Sequence, residues 1–288
     1  MDEPTLGIIG GSGLYSMEGL EGQEQRQLDT PFGQPSGPYL VGRLGGARLV
    51  FLARHGPGHA LLPGEVNARA NLHGFRQLGV RRVVSVSAVG SLREAIRPGD
   101  MVLPDQYFDR TRQRPATFFG QGAVAHVPFG EPVCPVLVEA LARSLEQIGA
   151  RYHRGGTYVC MEGPVFSSRA ESEFYRGMGA AVIGMTALPE AKLAREAEIC
   201  YATLALSTDY DCWHQSEEDV KADAVVEVLL GNIATARRTV AALAEKLPLG
   251  GDCGCQRALD GALLTDPARI PAATRERLQL LAGRFFES

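Results

Sequence analysis

The chain has no excess of charge of either sign: 29 Lys and Arg residues face 33 Asp and Glu, for a net charge of -4. Lys and Arg form no long stripe, which argues against general nucleic-acid binding. Long apolar runs are missing too. None approaches the roughly 20 residues that a helix needs to span a bilayer. Met1-Asp2-Glu3-Pro4 lacks the basic start and apolar stretch of a secretory signal. A soluble cytoplasmic protein with no membrane or nucleic-acid partner is therefore expected. Glycine and proline, at 34 and 17 of 288 residues, fall below the share that marks low-complexity sequence, so disorder is excluded as the main state.

Cysteine is scarce. Six in a chain this long are too few for a disulfide scaffold. Cys253-Gly254-Cys255 is the close pair, and neither a second pair nor a nearby His completes a zinc tetrad, so no metal site is expected. Cys253 and Cys255 read as free thiols or a local crosslink; Cys134, Cys160, Cys200 and Cys212 read as small apolar residues.

What is present is an alternation. Apolar runs rich in β-branched residues recur at Leu6 to Ile9, Leu49 to Ala53, Val83 to Val86, Thr157 to Cys160, Ala181 to Ile183 and Ala202 to Leu206. They read as buried strands. Helical spacing lies between several of them, over Val66 to Leu78, Val136 to Ile148, Ser168 to Arg176 and Pro189 to Ala197. A long helix is expected from about Asp219 to Lys246 and a shorter one near Ala272 to Leu281. This predicts one α/β domain with a mixed, largely parallel twisted sheet flanked by helices. Residues 1–247 would form the core, and residues 248–288 a tail that completes the same domain.

Polar residues gather where these strands end, and α/β sheets hold ligands at the carboxyl ends of their strands. Gly10-Gly11-Ser12-Gly13 follows the first strand, and its backbone amides can converge on an anion. Neither a dinucleotide fingerprint nor a P-loop is completed, and alone the segment reads equally well as a tight turn. Arg54 and His55, with His59 close by, follow the second. Arg offers a planar fork for two phosphate oxygens, and His a further hydrogen bond. Ser87 and Ala88 follow the third. Three strand ends carrying anion donors favour a discrete phosphate site.

A pair of carboxylates, Asp209 and Asp211, ends the last strand. If extended geometry persists, residues two apart share one side. One of two adjacent carboxyls should then hold its proton to higher pH and serve as a general acid. The commoner fate of Asp-x-Asp is an acidic turn or a cap. Phe166, in a polar loop, reads as core or as a platform for a planar ring.

Several segments, in order, carry a resemblance: Gly10-Gly11-Ser12-Gly13-Leu14, Ala53-Arg54-His55-Gly56, Gly90-Ser91-Leu92-Arg93-Glu94, Glu162-Gly163-Pro164 with Phe166-Ser167-Ser168-Arg169, Met185-Thr186, and Thr208-Asp209-Tyr210-Asp211-Cys212-Trp213. From about Leu6 to Leu247 the chain resembles the 5′-methylthioadenosine phosphorylases, within the trimeric purine nucleoside phosphorylase superfamily. The resemblance implies a purine nucleoside phosphorylase-like fold and phosphate-dependent cleavage of a nucleoside in purine and methionine salvage. Inorganic phosphate would be a co-substrate, with no metal or organic cofactor. It implies that Ser12, Arg54, His55, Ser87, Ala88 and Thr186 bind phosphate, that Met185 contacts the ribose and that Phe166 and Ser167 line the base. Asp209 would meet N7 of adenine and Asp211 its 6-amino group. His126, reaching in from a neighbouring subunit of a homotrimer, would border a 5′ pocket with Val225 and Val226.

The chain departs from the family pattern in places. Ser12 and Ser87 stand where Thr is frequent, Gly184 replaces a common Asn, and Ala222 is smaller than the usual Val. Other base or 5′ preferences, such as adenosine, methylthioinosine or inosine, a phosphate-independent hydrolase, and a catalytically silent nucleoside-binding protein are the competing readings.

Overall fold

The computed structural model describes residues 3–214 and 222–286; within these, the side chains of residue 12 and residues 222–226 lie outside the description. Eleven strands form one sheet among the described residues: β1 (Thr5–Gly10), β2 (Glu21–Arg26), β3 (Tyr39–Leu44), β4 (Ala47–Ala53), β5 (Arg82–Ser91), β6 (Met101–Leu103), β7 (Gln106–Arg110), β8 (Tyr152–Arg154), β9 (Thr157–Met161), β10 (Val182–Gly184) and β11 (Cys200–Asp209). The helices are α1 (Ala68–Gln77), α2 (Pro135–Gln147), α3 (Arg169–Gly177), α4 (Ala187–Glu196), α5 (Ala222–Ala244) and α6 (Ala272–Ala282).

β1 pairs in parallel with β4 and β5, and β5 pairs in parallel with β11. Four strands thus deliver their carboxyl ends to one edge of the sheet. β10 runs antiparallel to the end of β5, with Ile183 opposite Gly90, so the chain after β10 returns alongside the same edge. The pairing is mixed and largely parallel.

Period-two alternation divides the strand side chains between two cores. Ile9, Val50, Leu52, Val83 and Ala205 pack on one face with residues of α1, α4 and α6. Ile8, Leu49, Phe51, Val84 and Leu204 pack on the other with α2 and α5. A strand covered on both faces is predominantly apolar, which is why β1, β4, β5 and β11 stand out as runs broken only by small hydroxyl residues. β2 does not, because all six of its residues, Glu-Gly-Gln-Glu-Gln-Arg, are exposed on a sheet edge. Charged side chains there guard an unpaired edge against pairing with another chain.

The helix beginning near Pro189 has a physical reason for its start. Leu188 has extended rather than helical dihedrals, so regular helix begins at the proline, whose missing N–H is tolerated in a first turn. The long helix is described from Ala222, and residues 219–221 of the expected span lie outside the described residues.

The tail packs on the rest of the chain. Leu259, Ala262, Ile270, Leu278 and Leu281 join the first core, and Arg284 donates to both carboxylate oxygens of buried Glu198. The tail also carries Cys253 and Cys255 to Cys134 and Cys200, so two cysteines that read as isolated apolar residues belong to a four-sulfur group. Sequence spacing gives no sign of it, because the members come from three separate segments.

Candidate active site

At the shared strand edge lies a cavity of about 570 Å3. Arg54, His55, Ser87, Ala88, Met185, Thr186, Phe166, Asp209 and Asp211 all line it, together with Gly11 and Gly13. Residues spread over more than 150 positions of sequence thus converge on one space, large enough for a nucleoside-sized ligand.

The end of the cavity nearest the sheet is built from strand-borne groups. Arg54 follows β4 directly, and its backbone N–H donates to Gly10 O across the β1–β4 ladder at 2.9 Å. Its side chain is 3% exposed and pairs with Glu190, itself 1% exposed, at 2.5 Å. The fork expected to grip phosphate is therefore largely taken. Nε and Nη2 donate to Glu190, Nη2 also donates to Ser85 Oγ at 2.7 Å, and Nη1 donates to Val86 O at 3.0 Å. Nη1 keeps one further N–H. Burial opposes the guanidinium charge, but Glu190 more than offsets this and holds its pKa above the ordinary value. Glu190 lies 136 residues from Arg54, and no motif links the two.

The hydroxyls are different. Ser87 Oγ, Thr186 Oγ1 and Tyr158 OH are buried beside one another, and none of them makes a hydrogen bond of good geometry. Leaving such a group unpaired costs about 1–3 kcal/mol. An anion with free lone pairs at this end of the cavity would satisfy the two lining hydroxyls. Tyr158 escapes a sequence reading because it sits inside an apolar strand. Its hydroxyl also explains Gly184: a Cβ at that position would lie 2.1 Å from it. Any larger residue in place of Gly184 would collide with the ring in its present position.

His55 Nδ1 lies 2.9 Å from Leu61 O, which fixes the proton on that nitrogen and leaves Nε2 for a ligand. Burial lowers the His55 pKa, with the Leu61 carbonyl opposing and Arg54 reinforcing the shift. A neutral His55 presents Nε2 as an acceptor, so it favours a hydroxyl or a protonated phosphate oxygen over a bare oxyanion. His59 stacks on it at 4.3 Å between ring centroids.

The acid pair closes the other side. Extended geometry does not persist through it: β11 ends at Asp209 after a register shift, and Asp211 has a left-handed φ of 53°. The turn, rather than strand periodicity, brings both residues to the cavity wall. Asp209 accepts from Thr208 Oγ1 at 2.7 Å and from the Asp211 backbone N–H at 2.8 Å. Asp211 accepts from Ser172 Oγ, on α3, at 2.5 Å. Burial pushes the Asp211 carboxyl above its usual range; Ser172 opposes this and the Asp209 charge adds to it. A Cβ at Gly90 would lie 3.0 Å from Asp209 Oδ1 and 3.2 Å from Asp211 Cβ, so a bare backbone is what lets the pair fit. Trp213 Nε1 donates to Ser91 O at 2.7 Å and pins the segment that follows.

The remaining expected residues fall into three groups. Phe166 lines the opening and is 76% exposed. Ser167 beside it is not a lining residue, and its hydroxyl lies 3.5 Å from Met161 Sδ. His126 lies elsewhere in this chain, exposed, with its backbone N–H donating to Ala262 O in the tail. The side chains of Ser12, Val225 and Val226 lie outside the described residues. One and two turns beyond Val225 along α5, Leu229 and Ile233 supply an apolar wall that sequence reading missed, although helical spacing carries the apolar stripe of this helix to them. Arg114 Nη1 straps the Met185 segment in place, donating to Met185 O at 2.6 Å and Leu188 O at 2.9 Å.

An α/β sheet with polar groups converging at its carboxyl edge, an anion-ready end and an acid pair defines a group-transfer site for a small ligand. The model of the phosphorylase superfamily matches residues 5–247, and the chain belongs to that superfamily. The S-methyl-5'-thioadenosine phosphorylase of Geobacter sulfurreducens is 54% identical over 284 residues, covering 98% of this chain and 99% of the relative. That of Koribacter versatilis is also 54% identical, over 99% of this chain and 97% of its own length. Among solved structures, a methylthioadenosine phosphorylase from an antarctic soil metagenomic library is similar with TM-score 0.93 and 47% identity, covering 97% of this chain and 99% of that one. The methylthioadenosine phosphorylase from Schistosoma mansoni in complex with adenine matches with TM-score 0.83 and 33% identity, over 90% of this chain and 99% of that one.

Proposed function

We propose that the protein cleaves the N-glycosidic bond of 5′-methylthioadenosine with inorganic phosphate, giving adenine and 5-methylthioribose 1-phosphate. The observation that carries this is one cavity with unpaired buried hydroxyls and Arg54 at one end and a raised carboxyl at the other. The names and high identity of the relatives support the same reading.

Phosphate sits against Ser87, Thr186, the free N–H of Arg54 and the backbone around Ser12 and Ala88. Because Glu190 already balances Arg54, hydroxyls and amides carry a large share of the recognition. The anion lies on one face of the ribose and stabilises positive charge as it grows at C1′. Adenine leaves from the opposite side of C1′ and becomes electron-rich at N7. The acid pair supplies a proton or a strong hydrogen bond there; the raised carboxyl of Asp211 makes it the proton donor, in place of the Asp209 that the resemblance implies, and Asp209 accepts from the 6-amino group. Phosphate then captures C1′. Holding both reactants in one cavity turns a bimolecular encounter into a local one. The reaction needs no metal or organic cofactor, since phosphate itself is the nucleophile.

Met185 and Phe166, with Ser167 behind it, frame ribose and base. Leu229 and Ile233 form an apolar 5′ wall that favours a methylthio group over a hydroxyl. Exposed His126 suits delivery to the site of a second copy, in a homotrimer working in the cytoplasm and feeding purine and methionine salvage. Among the described residues, no helix is long and apolar enough to cross a membrane.

The test is a panel of methylthioadenosine, adenosine and inosine with saturating phosphate. Highest kcat/KM on methylthioadenosine supports the proposal. A preference for inosine, whose 6-oxo group opposes the accepting carboxylate, would overturn the base assignment.

A further inference from the structure

At the far end of β11 from the acid pair stands a second chemical group. Cys200 is the first residue of that strand. Cys134 is the N-cap of α2 and its backbone N–H donates to Tyr201 O at 2.8 Å, which brings it beside Cys200. Cys253 and Cys255 come from the tail, flanking the start of a 3-10 turn over Gly254–Arg257. The four Sγ atoms lie within 4.8 Å of one another, and Cys200 Sγ to Cys253 Sγ is 3.4 Å. Cys134, Cys200 and Cys255 are buried, and Cys253 is partly exposed.

These separations decide between two chemistries. Sulfurs joined in a disulfide sit about 2.05 Å apart. Four sulfurs about 2.3 Å from one tetrahedral ion sit about 3.8 Å from each other. The 3.4 Å separation and the 4.8 Å ceiling over all four sulfurs exceed a disulfide and bracket the cage spacing, and all four groups are mutually close, as a cage requires and two separate crosslinks do not. We propose that Cys134, Cys200, Cys253 and Cys255 form a structural zinc site that clamps the C-terminal tail onto the sheet.

The surroundings suit it. Four soft sulfur ligands in a closed, mostly buried tetrahedral set select zinc among common divalent ions. The cage with its ion carries net negative charge. Cys134 stands at the N-terminus of α2, where unpaired backbone N–H groups favour an anionic sulfur. Gln256 Nε2 lies 3.9 Å from Cys200 Sγ and provides an outer donor. Loading takes up one Zn2+ and releases to solvent the proton of each thiol that ligates, up to four, with no redox change.

The role follows from position. Nine residue steps of extended strand separate Cys200 from Asp209, about 30 Å. The site therefore acts on stability and tail docking rather than on chemistry, and it stands independently of the reading of the cavity.

The experiment uses full-length protein purified under reducing conditions with zinc supplied. Metal content is measured by mass spectrometry of the elements, and thiols are counted by mass labelling after denaturation with a chelator. About one zinc per chain with six labelled thiols is the expected result. Replacing zinc by cobalt should give the charge-transfer and visible bands of a tetrahedral tetrathiolate. Cys253→Ser, at the most exposed ligand, should weaken zinc retention at least about tenfold. It should lower Tm while leaving kcat within about twofold at moderate temperature, since distant sites act independently. Two disulfides without metal, six free thiols that bind no zinc, or iron in place of zinc would each overturn the proposal.

Discussion

The two ends of the cavity are made differently. The proposed phosphate end is carried by β1, β4, β5 and the chain after β10; ladder hydrogen bonds fix its backbone, and Arg54 and Ser87 are buried there. The base and 5′ end is framed by the exposed loop carrying Phe166 and by α5. A buried, unpaired hydroxyl has one way to be satisfied, whereas an open apolar rim accepts several shapes. On the proposed function, anion recognition is preformed here, and preference for the nucleoside rests on weaker and more adjustable contacts.

Substitutions can break or sharpen that contrast. The largest effect falls on the acid pair. Asp211→Asn and Asp209→Asn should each lower kcat on methylthioadenosine by about 100- to 10,000-fold, the usual contribution of a general acid, with smaller losses on inosine. Equal losses on both nucleosides would remove the pair from base recognition. Because the Asp211 carboxyl is raised, the proton-donating form is present below its pKa. Activity should fall as pH rises through it, and that limb should vanish in Asp211→Asn.

The buried ion pair comes next. Glu190→Gln leaves Arg54 charged without its partner, and breaking such a pair costs about 3–5 kcal/mol of stability. Phosphate should raise Tm more in this variant than in the parent, because it restores an anion beside the guanidinium. Identical phosphate-induced shifts would mean that Arg54 does not meet the anion.

Ser87→Ala removes one donor to a charged ligand, worth about 1.5–3 kcal/mol, and should raise KM for phosphate by about 10- to 100-fold while adenine affinity stays the same. The smallest change belongs to the open end. Ile233→Ala should reduce the preference for methylthioadenosine over adenosine by about tenfold or less, measured as a ratio of kcat/KM values.

The sequence makes the strand-borne half of this molecule readable for a physical reason. Strands buried on both faces must be mostly apolar, so β1, β4, β5 and β11 are visible, and the polar residues that end them mark the ligand edge. β2 is exposed on both faces and has no such signature. Arg54 can be picked out as a site residue, but Glu190, which takes up most of its fork, joins it only through tertiary packing. Asp209 and Asp211 face one cavity as their spacing suggests, yet a left-handed turn achieves it where strand alternation was expected. Tyr158 hides in an apolar run, and its closeness to Gly184 is a steric fact that no local pattern carries. The four cysteines show the same limit, since three distant segments supply them.

The most direct measurement follows methylthioadenosine and inorganic phosphate with the purified protein by phosphorus NMR while adenine is quantified in the same sample. Adenine release that depends on phosphate, matched one for one by a new sugar 1-phosphate resonance, is the predicted result. Adenine released at the same rate without phosphate, or with no phosphorylated sugar formed, would contradict the account.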